Sequence, residues 1–298
     1  MIIAQLRGGL GNQMFQYAAG RALSLRHGVP LKLDLPWFSS IAEGGTRRTY
    51  MLGKAFSIAS VIASPEECDF LKWRKEAFVG QLTRRLLRRP KSHAGTYISE
   101  PHYDYWPGFE GITVPAYLFG YWQNERYFIE VQDQIRRDFT FLPFPAETEG
   151  VASSIRQSSE PVAVHIRRGD YESNPRTNAV HGLCLPSYYC AALKTVAATT
   201  GNPLLLFIFS DDPEWVRNNF DTLGFPVTVV DFPAHRDEPW HDMHLMSLCK
   251  HHIIANSSFS WWGTWLSGEL GMVCAPRQWF KTGSNENDSP VPDRWIKI

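Results

Sequence analysis

The 298-residue sequence lacks a surplus of either charge: 30 Lys and Arg residues balance 30 Asp and Glu. No global field draws such a chain to nucleic acid or to an anionic membrane, so any anion binding has to come from a local site. Cysteines are few. The five, Cys68, Cys184, Cys190, Cys249 and Cys274, are odd in number, scattered, and form no CxxC pair. That pattern points to a reducing compartment and against a disulfide framework or a zinc site. Long apolar runs are missing too. The longest, Leu204 to Phe209, is far too short to span a bilayer. Met1 to Arg7 lacks the basic-then-apolar order of a secretory signal, and a soluble cytoplasmic protein is expected.

Two nucleotide fingerprints are absent as well. Gly8-Gly9-Leu10-Gly11 follows a strand-like Ile2 to Leu6, but the third glycine of GxGxxG would fall on Met14. The dinucleotide pattern therefore fails, and no P-loop occurs. Ser210-Asp211-Asp212-Pro213 is not a DxD pair, so no metal is expected there.

What is present is an α/β rhythm. Ile2–Leu6, a helix from about Asn12 to His27 ending at Gly28, and Pro30–Leu35 form an opening βαβ unit. Residues 39–115 carry little periodic signal. Ala116–Tyr121 reads as a strand and Asn124–Phe139 as a helix. Leu142-Pro143-Phe144-Pro145 reads as a linker, which divides the chain into 1–145 and 146–298. The second half alternates strands (Val162–Ile166, Leu204–Phe209, Val227–Asp231, His252–Ala255, Gly271–Ala275) with helices (Pro186–Thr199, Pro213–Phe220, Asp242–Lys250, Phe259–Ser267). Two Rossmann-like domains with a ligand cleft between them are expected.

The chemistry concentrates where strands end, since ligands of open α/β sheets bind at carboxyl ends. His165-Ile166-Arg167-Arg168-Gly169-Asp170-Tyr171 brings two guanidinium groups to such an end, suited to a diphosphate. Strand alternation would turn the two to opposite faces, leaving Arg167 on the ligand and Arg168 as a brace. His165 is either a ligand contact or a core histidine. Asp211 and Asp212 divide between an N-cap and a cleft-facing carboxylate that would accept N–H bonds from guanine. Asn256-Ser257-Ser258-Phe259 opens a helix whose N–H groups form a ready anion site. Trp261, Trp262 and Trp265 behind it read as core. Asn12 and Gln13 place amides where sugar hydroxyls would be met. Eleven Trp and eleven Tyr add surfaces suited to sugars or bases. The basic segment 72–91 is a solvated helical face or a weak peripheral membrane contact, the first being the commoner outcome.

Taken together, GGLGNQMFQYA, HIRRGDY, FSDD and ANSSFSWWGTWL, with FGYWQNERYF at 119–128, resemble the motifs of family 11 glycosyltransferases, the bacterial α1,2-fucosyltransferases. The resemblance implies a GT-B fold and inverting transfer of L-fucose from GDP-β-L-fucose to the 2-hydroxyl of a galactose-terminated acceptor in surface-glycan synthesis. No metal and no cofactor beyond the donor are implied. By the same resemblance Arg167 holds the departing diphosphate, and His165 and Arg168 lie near it. Asp211 or Asp212 reads guanine, and Asn256, Ser257, Ser258 and Phe259 form the phosphate-binding turn. Asn12 stands near the reacting centre. Asp34, at the end of the second strand, is a candidate base, and Gln13, Trp37, Tyr121 and Gln123 are candidate acceptor contacts.

Overall fold

The computed structural model describes residues 1–39, 48–79, 96–268, 271–281 and 289–298. They form two compact units, Met1–Thr140 and Phe141–Ile298.

In the first unit β1 (Ile2–Gln5) leads into α1 (Leu10–His27), then β2 (Leu31–Asp34), a short α2 (Leu52–Ala55), α3 (Pro65–Val79), β3 (Thr96–Ser99), β4 (Ala116–Phe119) and α4 (Gln132–Asp138). The described strands are all parallel, in the order β2-β1-β4-β3. Helix α1 begins two residues before the expected Asn12, with Gly9 as its N-cap. It ends where Gly28, at φ 62°, takes the left-handed conformation that closes a helix without a Cβ penalty. Gly20 lies against β1 and β2: a Cβ there would meet Leu31 at 2.8 Å and Ala4 at 3.1 Å.

The expected helix over Asn124–Phe139 is corrected. Asn124 accepts the Arg126 N–H at 3.0 Å and starts a 3-10 turn, Glu125–Tyr127. A second such turn, Ile129–Val131, follows before α4. Tyr127 and Phe128 are both buried, and Tyr127 packs its ring against Trp122, Phe109 and Tyr105, contacts from outside the segment that local periodicity does not register. Most of segment 72–91 lies outside the described residues. Among those described, no helix is long and apolar enough to cross a membrane.

The second unit runs α5 (Ala146–Gln157), β5 (Pro161–Ile166), α6 (Gly169–Ser173), α7 (Pro175–His181), α8 (Pro186–Thr199), β6 (Leu205–Ser210), α9 (Pro213–Asn219) and β7 (Val227–Val230). It closes with α10 (Trp240–Ser247), β8 (His251–Ile253), α11 (Ser258–Leu266), β9 (Val273–Ala275) and β10 (Ile296–Lys297). The described strands are again parallel, ordered β10-β9-β8-β5-β6-β7, the doubly wound order of a dinucleotide-binding sheet. β5 is buried along its whole length, as expected of a central strand covered on both faces. Helix α11 buries Trp261, Trp262 and Trp265 completely, so the tryptophans are core.

Both units are thus Rossmann-like; the second sheet reverses its winding once, and in the first β2 lies on one side of β1 with the later strands β4 and β3 on the other. The reversal falls between β1 and β4 in the first unit and between β5 and β8 in the second. Each reversal opens a crevice at the strands' carboxyl ends, where a ligand fits.

Candidate active site

At the reversal of the second unit, β5 stops at Ile166, so Arg167 and Arg168 stand in the turn rather than on the strand. Strand alternation does not separate them; their partners do. Arg167 pairs through Nη1 with Asp211 Oδ2 at 2.9 Å, and its guanidinium stands 5.5 Å from the Tyr171 ring centre. Arg168 is clamped by Asp212 at 3.4 Å, by Glu172 at 2.5 Å and by the Trp215 ring at 3.9 Å. Its own N–H donates to Asp211 Oδ1 at 2.9 Å. Asp211, at the end of β6, therefore orients both arginines. Gly169 makes room for this: a Cβ there would lie 2.5 Å from Asp211 Oδ2. Asp212 caps α9, accepting the Trp215 N–H at 3.1 Å.

His165 is a core residue in this arrangement. It is 5 % exposed, with Nδ1 paired to Ser260 Oγ at 2.8 Å and its ring tilted against Phe259. Burial first, and the Arg167 charge second, push its imidazole down to about 3, so it is neutral at physiological pH. The Asn256 side chain is likewise spent inside: it donates to the carbonyls of His181 at 2.8 Å and Trp279 at 3.2 Å. Ser257 caps α11 by accepting the Phe259 N–H at 3.3 Å. Ser258 and Phe259 form the first turn, half-buried. A helix leaves its first N–H groups without intrahelical acceptors, and this end is set immediately past β8, the strand beside β5. Three tyrosines not singled out in the sequence hold the strand ends in place. Tyr171, Tyr188 and Tyr189 donate to the carbonyls of Asn256 at 3.1 Å, Ile254 at 2.7 Å and His165 at 3.1 Å.

The crevice of the first unit is built differently. Past β4, Gln123 Nε2 donates to Asn12 Oδ1 at 2.8 Å, and Gln16 Nε2 donates to the Gly120 carbonyl at 3.2 Å. These amides tie the start of α1 to the turn after β4. The turn is strained, since buried Trp122 has φ 55°, in the left-handed region. Glu100, from the end of β3, holds it by accepting the N–H groups of Tyr121 at 2.6 Å and Trp122 at 2.9 Å. Burial outweighs those two bonds and pushes the Glu100 carboxyl up to about 7. Arg7 lies between rings, 4.5 Å from the Phe119 centre and 4.3 Å from that of Tyr121, and its Nε is buried without a hydrogen-bond partner. Tyr121 stacks with Tyr103. Nothing periodic in 96–103 pointed to Glu100; a carboxylate next to Pro101 in a low-signal segment was the whole of its signal.

Three candidates occupy other positions than the sequence implied. Gln13 is 0 % exposed. Its amide donates to the carbonyls of Gly8 and Thr49 and accepts the Met51 N–H at 2.9 Å, bracing the 49–51 segment instead of meeting a ligand. Asp34 is 2 % exposed, bound by Lys72 at 2.8 Å and by the Tyr117 hydroxyl. A base has to come within hydrogen-bond reach of the proton it takes, and here Asp34 is sealed as the anchor of a buried polar cluster. Trp37 sits on the 3-10 turn Pro36–Ser39 after β2, half-buried and edge-on to Phe38.

Comparison with known proteins completes the assignment. Residues 69–298 match the model of Glycosyl transferase family 11. Over its full length the chain is 36% identical to an alpha-1,2-colitosyltransferase of Escherichia coli, covering 99% of that protein. Over 98% of its length it is 30% identical to the O-antigen biosynthesis glycosyltransferase WbnK of Escherichia coli, again covering 99% of it. It is 26% identical to human galactoside alpha-(1,2)-fucosyltransferase 1, over 88% of this chain and 64% of that one. Among solved structures, a mutant of Arabidopsis thaliana FUT1 in complex with GDP shares the fold. The TM-score is 0.55 at 12% identity, with 96% of this chain and 71% of that one covered. With its motifs in order, its two parallel Rossmann-like sheets and these relatives along its whole length, the chain belongs to glycosyltransferase family 11.

Proposed function

We propose that the chain is an inverting, metal-independent transferase. It moves L-fucose from GDP-β-L-fucose to the 2-hydroxyl of a terminal galactoside in bacterial surface-glycan synthesis. The observation that carries this reading is Arg167, oriented by Asp211 at the end of β5, with the N-terminus of α11 set at the end of the adjoining strand. As the bond between the sugar's C1 and the diphosphate oxygen breaks, the electron pair stays on the diphosphate, while the acceptor oxygen bonds to C1 from the opposite face and its hydroxyl proton is released to solvent water. Charge thus grows on the diphosphate, and a fixed guanidinium with helix N–H groups stabilises it more in the transition state than in the ground state. That substitutes for the metal ion used by other transferases. Ser257, Ser258 and Phe259 supply the turn, His165 and Asn256 support it from below, and Arg168 braces Asp211 beside Arg167. Asn12, Gln123 and Tyr121 line the crevice offered to the acceptor.

The test is transfer from GDP-fucose to lactose or N-acetyllactosamine with EDTA present, followed by linkage analysis. Fucosylation of the galactose 2-hydroxyl is expected; absence of transfer to any terminal galactoside overturns the reading. A second donor has its own support, the 36% identity to a colitosyltransferase. Colitose is fucose without its 3-hydroxyl. A site built to hydrogen-bond that hydroxyl rejects the deoxy sugar by roughly 10⁴–10⁵, whereas an apolar pocket discriminates only about 10–200-fold. Competition between GDP-fucose and GDP-colitose therefore names the donor.

A further inference from the structure

We propose that His235, Glu238 and His241 form a binding site for a divalent transition-metal ion of the zinc type, fastening the segment after β7 to the start of α10. His235 ends the 3-10 turn Pro233–His235, and His241 lies in the first turn of α10. One ligating atom from each of the three residues lies within 4.8 Å of the other two, the one such group among the described residues.

Three features distinguish this cluster from a chance surface grouping. First, His235 faces two carboxylates. Its Nδ1 is 3.6 Å from Glu238 Oε2 and its Nε2 is 3.0 Å from Glu147 Oε2. A metal-bound histidine is ordinarily fixed in this way, one nitrogen on the ion and the other N–H on a carboxylate. Second, the rings of His235 and His241 stand edge to face, centres 4.9 Å apart at 88°. At that separation one ring nitrogen of each histidine lies within reach of a common ion. Third, His241 is 3 % exposed, and its Nδ1 is buried with no hydrogen-bond partner. A buried polar atom left unpaired is costly and calls for an explanation such as an ion.

The donor set decides the ion. Two imidazoles and one carboxylate suit zinc and its neighbours; magnesium and calcium require oxygen shells. Tetrahedral zinc with bonds of about 2.0–2.1 Å places its donors about 3.3 Å apart. The Nδ1–Oε2 separation of 3.6 Å is already close to that, and the exposed Glu238 side chain can close the remainder by rotation. The scattered cysteines exclude only thiolate sites. The position, on the connection beyond edge strand β7 rather than at the β5–β8 crevice, makes the ion a staple and not a participant in transfer.

The experiment uses the full chain stripped with chelator and then freed of it. Zinc binding is followed by competition with a chromophoric indicator, and melting by calorimetry. One zinc per chain and a rise in Tm of a few degrees at a hundred-fold excess over Kd are expected, with no effect from magnesium. Glu238→Gln and His235→Gln change exposed or half-buried positions and keep the fold. Each is expected to weaken zinc binding at least tenfold, and Glu147→Gln by about 10–100-fold. Absence of stoichiometric binding overturns the proposal. So does binding that is unchanged in Glu238→Gln and His235→Gln, which would place the ion elsewhere. The readouts are metal content and melting, so the outcome is independent of the transferase reading.

Discussion

The two strand-order reversals occupy equivalent places in their sheets and are furnished in opposite ways. The one in the second unit is ionic and partly exposed: Arg167 and Arg168 on Asp211, Asp212 and Glu172. The one in the first unit is built from amides, aromatic rings, a sheltered carboxyl and one guanidinium held between rings: Asn12, Gln16, Gln123, Tyr121, Glu100 and Arg7. The contrast teaches that one architecture can furnish equivalent crevices differently; on the proposed reading the ionic one holds its cations on carboxylates for a diphosphate. On the same reading the other fixes hydrogen-bonding groups so that little ordering is left to be done when an acceptor sugar binds.

Removing the ionic side should have the largest effect. Arg167→Ala is expected to lower kcat/KM by about 10²–10³, roughly 2.7–4 kcal/mol, by analogy with a lost oxyanion donor. Its melting should stay near wild type, since the Arg167–Asp211 pair is partly exposed and such pairs stabilise little. Steady-state kinetics beside a thermal melt checks both halves, and wild-type turnover would erase the distinction between the crevices. Next comes Gln13→Ala. It strips one buried N–H and two carbonyls of their partner and should cost about 1–3 kcal/mol of stability, while activity per folded molecule is retained. Denaturant melts with active-site titration measure this. A purely kinetic loss would return Gln13 to the acceptor surface.

Gln123→Ala is smaller. It removes the bond to Asn12 and should raise the acceptor KM about 2–10-fold, the equivalent of roughly 0.5–1.5 kcal/mol, and leave the donor KM alone. A matching rise in donor KM would blur the two roles. The smallest effect is a pH slope. The Glu100 carboxyl is raised from 4.5 to about 7, so between those values the folded chain keeps a proton that the unfolded chain has lost. Stability falls at this site as pH rises through the window and is level above it. His165, lowered from 6.5 to about 3, acts in the opposite sense, losing stability as pH falls below 6.5. Denaturant melts of Glu100→Gln should therefore gain on wild type as pH rises from 4.5 to about 7 and no further; a constant gap would show that Glu100 does not titrate there.

Much of this fold was legible because local chemistry and tertiary packing agree. Helix α8 runs over Pro186–Thr199 as expected, with proline at its first position, and leads into the buried strand β6. Disagreement marks where contacts from outside the segment prevail, as at Asn124–Phe139, where Tyr127 packs on Trp122, Phe109 and Tyr105 and two 3-10 turns precede α4. In the site, the residue types were legible and their partners were not. Asp211 lies 44 positions from Arg167, Gln123 lies 111 from Asn12, and Glu100 lies 21 from Tyr121.

By itself the sequence determined that two arginines would stand at the end of a buried central strand and that a capped helix would open at the end of another. Strand burial, turn residues and capping are written within a few positions. The tertiary structure alone decided which polar groups remain available. It placed Asp211 under both arginines, folded Asp34, Gln13 and Asn256 inward, and brought Glu100 beneath a strained turn. The reason is that each buried donor or acceptor must find a partner, and that partner is chosen by the packing of remote strands, which no local pattern encodes.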